Sequence, residues 1–318
     1  MSNEQTVVLV LSRIEDRHLD VIRAVDPRVR VIAASDVDRA AAVAPEADVI
    51  VGWQVPDVVM ARAGRLRWIH TTAAGVDGLL IPQVMDGRVR LTCSVGIHAG
   101  LPEHIMGLIL AFSRRLHRAV RNQMARRWDR ASIVGEEVAG KVVGVLGLGA
   151  IGRTLAARAA AFDMRVIGTK RTVESIPHVE RVLPPEQTDA VLREADYLVI
   201  ILPLTPQTRG LIDARALRVM KPSAVLINVG RGQVVHEDAL IDALRTGVIA
   251  GAGLDVFERE PLPADSPLYD MENVIITPHV AGASHTYYER AIPLFCENLR
   301  RYLDGRPMLN VVDPVRGY

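Results

Sequence analysis

The chain has 318 residues, 49% of them hydrophobic and 24% charged, with a formal net charge of +1. Such a length suits two domains of about 100–200 residues each. The composition excludes a disordered chain, and the near-neutral balance leaves no global field to gather nucleic acid or an anionic membrane.

The start, "MSNEQTVVLVLS", is polar and then briefly apolar, without the basic and long apolar regions of a secretory signal. No apolar run approaches the roughly 20 residues that span a bilayer. Cys93 and Cys296 lie far apart, with neither disulfide nor zinc-knuckle spacing. The expectation is a cytoplasmic protein with no metal. In the first hundred residues "TVVLVLS", "RVRVIAAS", "ADVIVGW", "LRWIHTT" and "VRLTCS" are strand candidates. Continuous apolar runs separated by helical pattern imply parallel strands buried on both faces. A long helix then opens at "LPEHIMGLILAFSRRLHRAV", with Pro102 in the first turn, where no amide donor is needed, and Glu103 at the positive end. Seven arginines fall between Arg114 and Arg130. Without aromatic interleaving beyond Trp128 they read as a solvated or subunit-contact face rather than a nucleic-acid patch.

A second strand series follows: "KVVGVLGLG", "MRVIGT", "DYLVIILPL", "SAVLINVG", "AGAGLDVF" and "NVIITPHV". These six candidates predict a doubly wound, dinucleotide-binding sheet. A last helix, "YYERAIPLFCENLRRYLDG", stops at Gly305. No low-complexity linker separates the lobes.

Gly147-Leu148-Gly149-Ala150-Ile151-Gly152 follows an apolar strand and opens an alanine-rich helix. Gly147 suits the tight turn, Gly149 lets the backbone approach a pyrophosphate, and Gly152 allows close helix–strand packing, with Ala150 and Ile151 at the helix start. A lone GxGxxG is weak evidence; strand, turn, helix and next strand within about 30 residues supply the confirming context. About 20 residues on, where an acidic residue would hold a ribose 2′-hydroxyl, stand Lys170 and Arg171. A basic pair stabilises a 2′-phosphate through charge-assisted hydrogen bonds, which favours NADP(H); a solvent-facing pair would accept NAD(H) as well.

Three further segments place polar groups at or just past strand ends: Arg231 after "VLINVG", Asp255 and Glu260 in "GLDVFERE", and His279 in "ITPHV". Ligands of a doubly wound sheet bind beyond the carboxyl ends of its strands, so all should border the cofactor crevice. Singly, each has a plain structural explanation: a solvated arginine, a turn before Pro261, a histidine packed on the sheet. Together they make a set of anion-binding, orienting and acid–base groups.

"LPLTPQTRGLI", "MKPSAVLINVGRG", "GAGLDVFEREPLP" and "ITPHVAGAS", with "AAGVDGL" and "PEHIMGLIL" earlier, resemble the D-isomer-specific 2-hydroxyacid dehydrogenases over nearly the whole chain. The resemblance implies an α/β fold of two doubly wound parallel-sheet domains. A Rossmann cofactor domain (100–284) would be inserted in a flavodoxin-like substrate domain (1–99 plus 285–318). It implies a catalytic set of Arg231, Glu260 and His279 acting between a 2-keto acid and its D-2-hydroxy acid. It also implies that Pro203, Thr208, Val229 and Asp255 line the cofactor site, and that Ala74, Gly75 and Val76, with Arg231, hold the substrate. A homodimer is the family expectation. The chain departs from the family pattern near Cys93 and Ser94, where many relatives carry Asn, and at Pro102. Glu260 argues against a formate dehydrogenase, which has glutamine beside the histidine.

The residue types fit the chemistry. Hydride delivery to a ketone carbon leaves charge on oxygen, which an imidazolium neutralises by giving up a proton. A carboxylate beside the ring stabilises the imidazolium, and an arginine fork fixes the substrate's carboxylate and carbonyl. Taken with the resemblance, which implies glyoxylate- or hydroxypyruvate-like acids as substrates, the reading is an NADPH-preferring 2-ketoacid reductase. The rival from another class is a dinucleotide-sensing scaffold or corepressor on the same fold.

Overall fold

The computed structural model describes residues 5–317, so the polar start 1–4 lies outside the described residues. The chain folds as two compact units, one of residues 1–97 and 284–318 and the other of residues 98–283. The divisions fall a residue or two ahead of the expected positions.

The first unit holds five parallel strands: β1 (Thr6–Val10), β2 (Val29–Ala33), β3 (Val49–Gly52), β4 (Trp68–Thr71) and β5 (Arg90–Cys93). Their spatial order, β2-β1-β3-β4-β5, is the flavodoxin-like winding. The terminal helix Tyr287–Leu303 buries Ile292, Phe295 and Leu299 in one cluster with Val8, Val51 and Trp68. The Trp68 ring stacks on Phe295 and Tyr302, with centroids 5.3 and 5.4 Å apart. Each aromatic pair adds about 0.5–1.5 kcal/mol beyond its buried area, which ties the chain's last segment to its first strands. The helix stops as the sequence predicts, with Gly305 at φ +67°, a conformation that suits glycine.

The second unit holds seven parallel strands: β6 (Val142–Leu146), β7 (Arg165–Thr169), β8 (Arg181–Leu183), β9 (Tyr197–Ile200), β10 (Val225–Asn228), β11 (Gly251–Leu254) and β12 (Val274–Ile276). Their order is β12-β11-β10-β9-β6-β7-β8. Successive connections wind one way from β6 to β8 and then return to β9 on the other side of β6. That reversal opens a crevice at the carboxyl ends of β6 and β9. The six strands expected here are present. The seventh, β8, is a half-buried edge strand just before Pro184, too short to show an apolar run. It matters for the site, because the Lys170 amide donates to the Leu183 carbonyl at 2.9 Å.

The long helix expected after residue 100 is two helices, Leu101–Ser113 and Leu116–Met124, with Arg115 left-handed between them at φ +52°. Pro102 lies in the first turn, as predicted. The break has a tertiary cause. The Ser113 carbonyl, which a continuing helix would give to residue 117, accepts from the Glu136 amide at 2.7 Å. Gly135 makes that approach possible: a Cβ there would sit 2.3 Å from the same carbonyl oxygen.

Candidate active site

Three glycines shape the turn between β6 and the helix Ala150–Ala160, each for its own reason. Gly147 has φ +110°, and a Cβ on it would lie 2.8 Å from the Ile201 carbonyl at the end of β9. A Cβ on Gly152 would lie 2.5 Å from the Gly147 carbonyl, so the helix can close on the turn only without a side chain. Gly149, the residue before the helix, has nothing within 4 Å of an added Cβ and is exposed, as is Ala150; Ile151 is half-buried. Arg153 is the first residue whose amide bonds inside the helix, to the Gly149 carbonyl at 3.0 Å. The amides before it are the orphan donors of a helix start, facing an open backbone at the positive end of the helix dipole. The residues present thus fit a pyrophosphate.

Pro203, Thr208 and Val229 follow the carboxyl ends of β9 and β10. The Thr208 hydroxyl donates to the Pro203 carbonyl at 2.7 Å and accepts from the Thr205 amide at 2.8 Å, which folds the loop after β9 on itself. Val229 is buried and its amide donates to Ile200 at 3.2 Å. On the other wing of the sheet, Lys170 directly follows β7, with exposed Arg171 beside it. Lys170 Nζ lies 3.1 Å from Glu174 Oε1.

His279, Glu260 and Arg231 converge. His279 Nδ1 lies 2.7 Å from Glu260 Oε2, and Glu260 Oε1 accepts from the Phe257 amide at 3.0 Å. Burial pushes the Glu260 carboxyl up. The hydrogen bonds from His279 and Phe257 and the charges of His279 and Arg231 outweigh that and leave it below the usual carboxylate range. Nδ1 thus faces Glu260, which sets the orientation of the ring. Arg231 is held through its backbone: its carbonyl accepts from Asn228 Nδ2 at 2.9 Å, and Asn228 Oδ1 accepts from the Gly230 amide at 3.1 Å. The next residue, Gly232, packs on the chain just after β11, where a Cβ would fall 1.8 Å from the Phe257 carbonyl carbon.

His279 adopts φ +52°, a left-handed conformation that costs a non-glycine residue energy and needs support. Asp255 supplies it. Its buried carboxylate accepts from the Thr277 hydroxyl at 2.6 Å and from the Val280 and Ala281 amides, each at 2.9 Å. Its own carbonyl accepts from the His279 amide at 2.8 Å. Because the Thr277 proton is spent on Asp255, His104 Nε2, 3.1 Å from that hydroxyl, must be the donor. The sequence pointed to Asp255 as a cofactor residue; the structure also makes it the brace of the His279 turn. His104, Thr277 and Gly232 were missed. The periodic "PEHIMG" and "ITPHV" stretches contain the first two, but only their meeting in space assigns them work. Asp255→Asn should lose about 1–3 kcal/mol, because the new amide offers a donor to a backbone N–H that needs an acceptor. Thermal melting checks this, and an unchanged midpoint would refute the brace.

Ala74, Gly75 and Val76 belong to the first unit, after β4. The loop is fastened by Ala73 N to Thr71 Oγ1 at 3.0 Å, Ser94 N to the Ala73 carbonyl at 2.9 Å, and the Tyr287 hydroxyl to the Thr72 carbonyl. The Val76 side chain is in that unit's core.

Residues 106–281 match the family model described as D-isomer specific 2-hydroxyacid dehydrogenase, NAD binding domain. The glyoxylate reductase of Thermofilum pendens is 38% identical over 255 residues, covering 78% of this chain and 75% of that protein. The D-3-phosphoglycerate dehydrogenase of Mycobacterium leprae is 36% identical over 282 residues, which is 87% of this chain but 53% of that longer protein. Among solved structures, the NADPH-dependent glyoxylate/hydroxypyruvate reductase of Sinorhizobium meliloti, in complex with NADP and sulfate, superposes with a TM-score of 0.85. Its sequence is 31% identical, with 99% of this chain and all of that one covered.

Proposed function

The chain belongs to the D-isomer specific 2-hydroxyacid dehydrogenase family, and from that premise we propose that it reduces small 2-keto acids of the glyoxylate or hydroxypyruvate kind, with NADPH as the favoured donor. The observation that carries the reading is the 2.7 Å contact between His279 Nδ1 and an ionised Glu260, beside Arg231 and at the carboxyl ends of the sheet that bears the glycine turn.

The orphan amides after Gly149 would hold the pyrophosphate, and Pro203, Thr208, Val229 and Asp255 border the crevice that takes the rest of the dinucleotide. A dihydronicotinamide bound there would supply the hydride that the substrate's carbonyl carbon takes up. Arg231 orients the substrate through a bidentate contact with its carboxylate and carbonyl oxygens. As charge grows on the carbonyl oxygen, His279 gives up its Nε2 proton, and Glu260 keeps the ring in place. Oxidation of the 2-hydroxy acid uses the same groups in reverse.

Purified protein with NADPH, or with NADH, should consume the reduced cofactor on adding glyoxylate or hydroxypyruvate, read as loss of absorbance. No loss across a panel of 2-keto acids would overturn the reading and favour a dinucleotide sensor without turnover. Lys170 and Arg171 support NADPH, as does the NADP bound by the Sinorhizobium meliloti relative. Lys170→Asp should repel the 2′-phosphate and move the NADPH-to-NADH ratio of kcat/KM at least about tenfold toward NADH, a change worth about 1.4 kcal/mol. An unchanged ratio would sink the assignment.

A homodimer in the cytoplasm completes the proposal. Exposed Val120, Met124 and Trp128, set among the arginines of 114–130, support self-association. Among the described residues no helix is long and apolar enough to cross a membrane.

A further inference from the structure

Resting on the 2′-phosphate reading above, we propose that Glu174 is a specificity-determining residue whose carboxylate occupies the anion position between Lys170 and Arg153 and competes there with the cofactor's 2′-phosphate. Two cations from separate segments converge on one oxygen: Lys170 Nζ, from just past β7, at 3.1 Å and Arg153 Nη2, from the helix after the glycine turn, at 2.5 Å. Like charges drawn to a common point mark a place built for an anion. The carboxylate of Glu174 stands at that point.

The hydrogen bond and charge of Lys170, then those of Arg153, hold the Glu174 carboxyl below the usual range. It therefore stays ionised through neutral pH, and protonation offers no way to vacate the position. Displacement remains. The pairs are partly exposed, with Lys170 and Glu174 side chains 26% and 45% accessible, and such pairs are weak in water. A phosphate carrying about −1.5 to −2 charges can replace a single carboxylate on the same cations. The selectivity for a 2′-phosphate is then the difference between two anions at one site, rather than the full strength of the basic pair. A carboxylate that merely oriented Lys170 toward the phosphate would act in the opposite sense.

The test measures binding of adenosine 2′,5′-bisphosphate and of 5′-AMP to the full chain by titration calorimetry, in wild type, Glu174→Gln and Glu174→Ala. The expected result is a rise of about two- to fivefold in the affinity ratio of bisphosphate over 5′-AMP in both variants. That gain should shrink at high salt, where exposed charges are screened. An unchanged or lower ratio in either variant overturns the inference, and binding of 5′-AMP reports that each variant is folded. A wild-type ratio at or below one would refute the underlying 2′-phosphate reading instead; the comparison of variant with wild type still decides the role of Glu174.

Discussion

Replacing His279 with alanine should lower kcat by about 100-fold or more, the scale on which a positioned acid–base group contributes. The ring is placed by a left-handed backbone at φ +52°, a turn clamped to Asp255 and a 2.7 Å contact from Nδ1 to Glu260. All three fix where Nε2 is presented, and alanine keeps the backbone while removing the proton donor. Dinucleotide binding and the melting midpoint should change little, since the side chain is not part of a hydrophobic core. Steady-state turnover on the best 2-keto acid measures the effect. A variant that retained turnover within a few-fold of wild type would take His279 out of the chemistry.

Gly232→Ala is expected to disable the site by geometry instead. The new methyl would lie 1.8 Å from the Phe257 carbonyl carbon and 1.9 Å from its oxygen, so one of two backbone segments has to move. One carries Arg231; the other, through the Phe257 amide, anchors the Glu260 carboxylate. Forcing them apart costs about 1–3 kcal/mol or more as overpacking. A displacement near 1 Å at reacting groups lowers turnover about 100-fold. Calorimetry and kinetics on the same sample read both. Gly64→Ala, where an added Cβ meets nothing within 4 Å, is the control for glycine replacement itself. A stable, active Gly232→Ala protein would show that the contact does not position the two charged groups.

How much of this could be read before folding depended on whether a residue's partners lay nearby in sequence. β6, β9 and β10 announce themselves as apolar runs because helices cover both of their faces, and the glycine turn follows from a strand–turn–helix spacing within one short segment. Arg231, Glu260 and His279 were legible as polar groups at strand ends. What escaped depends on distant chain. β8 is too short and too exposed to carry a pattern, although it holds the backbone of Lys170. The helix break at Arg115 is imposed by Gly135 and Glu136. His104 finds Thr277, and Thr277 finds Asp255, only after three elements meet. The intolerance at Gly232 likewise comes from a strand end far along the chain. Glu174 lies four residues past Lys170, yet nothing local indicates that Arg153 shares its oxygen.

The reversal of winding at β6 has a further consequence. Lys170 and Glu174 sit on the wing that runs from β6 to β8, whereas Arg231, Glu260 and His279 sit on the wing that runs from β9 to β12. Strands β6 and β9 lie between Lys170, just past β7, and the strands β10 to β12 that precede Arg231, Glu260 and His279. Free energies at such separated positions add. On the proposed roles the two wings should therefore be separable: a change of nicotinamide donor made at Lys170 leaves the effect of a substitution at His279 unaltered.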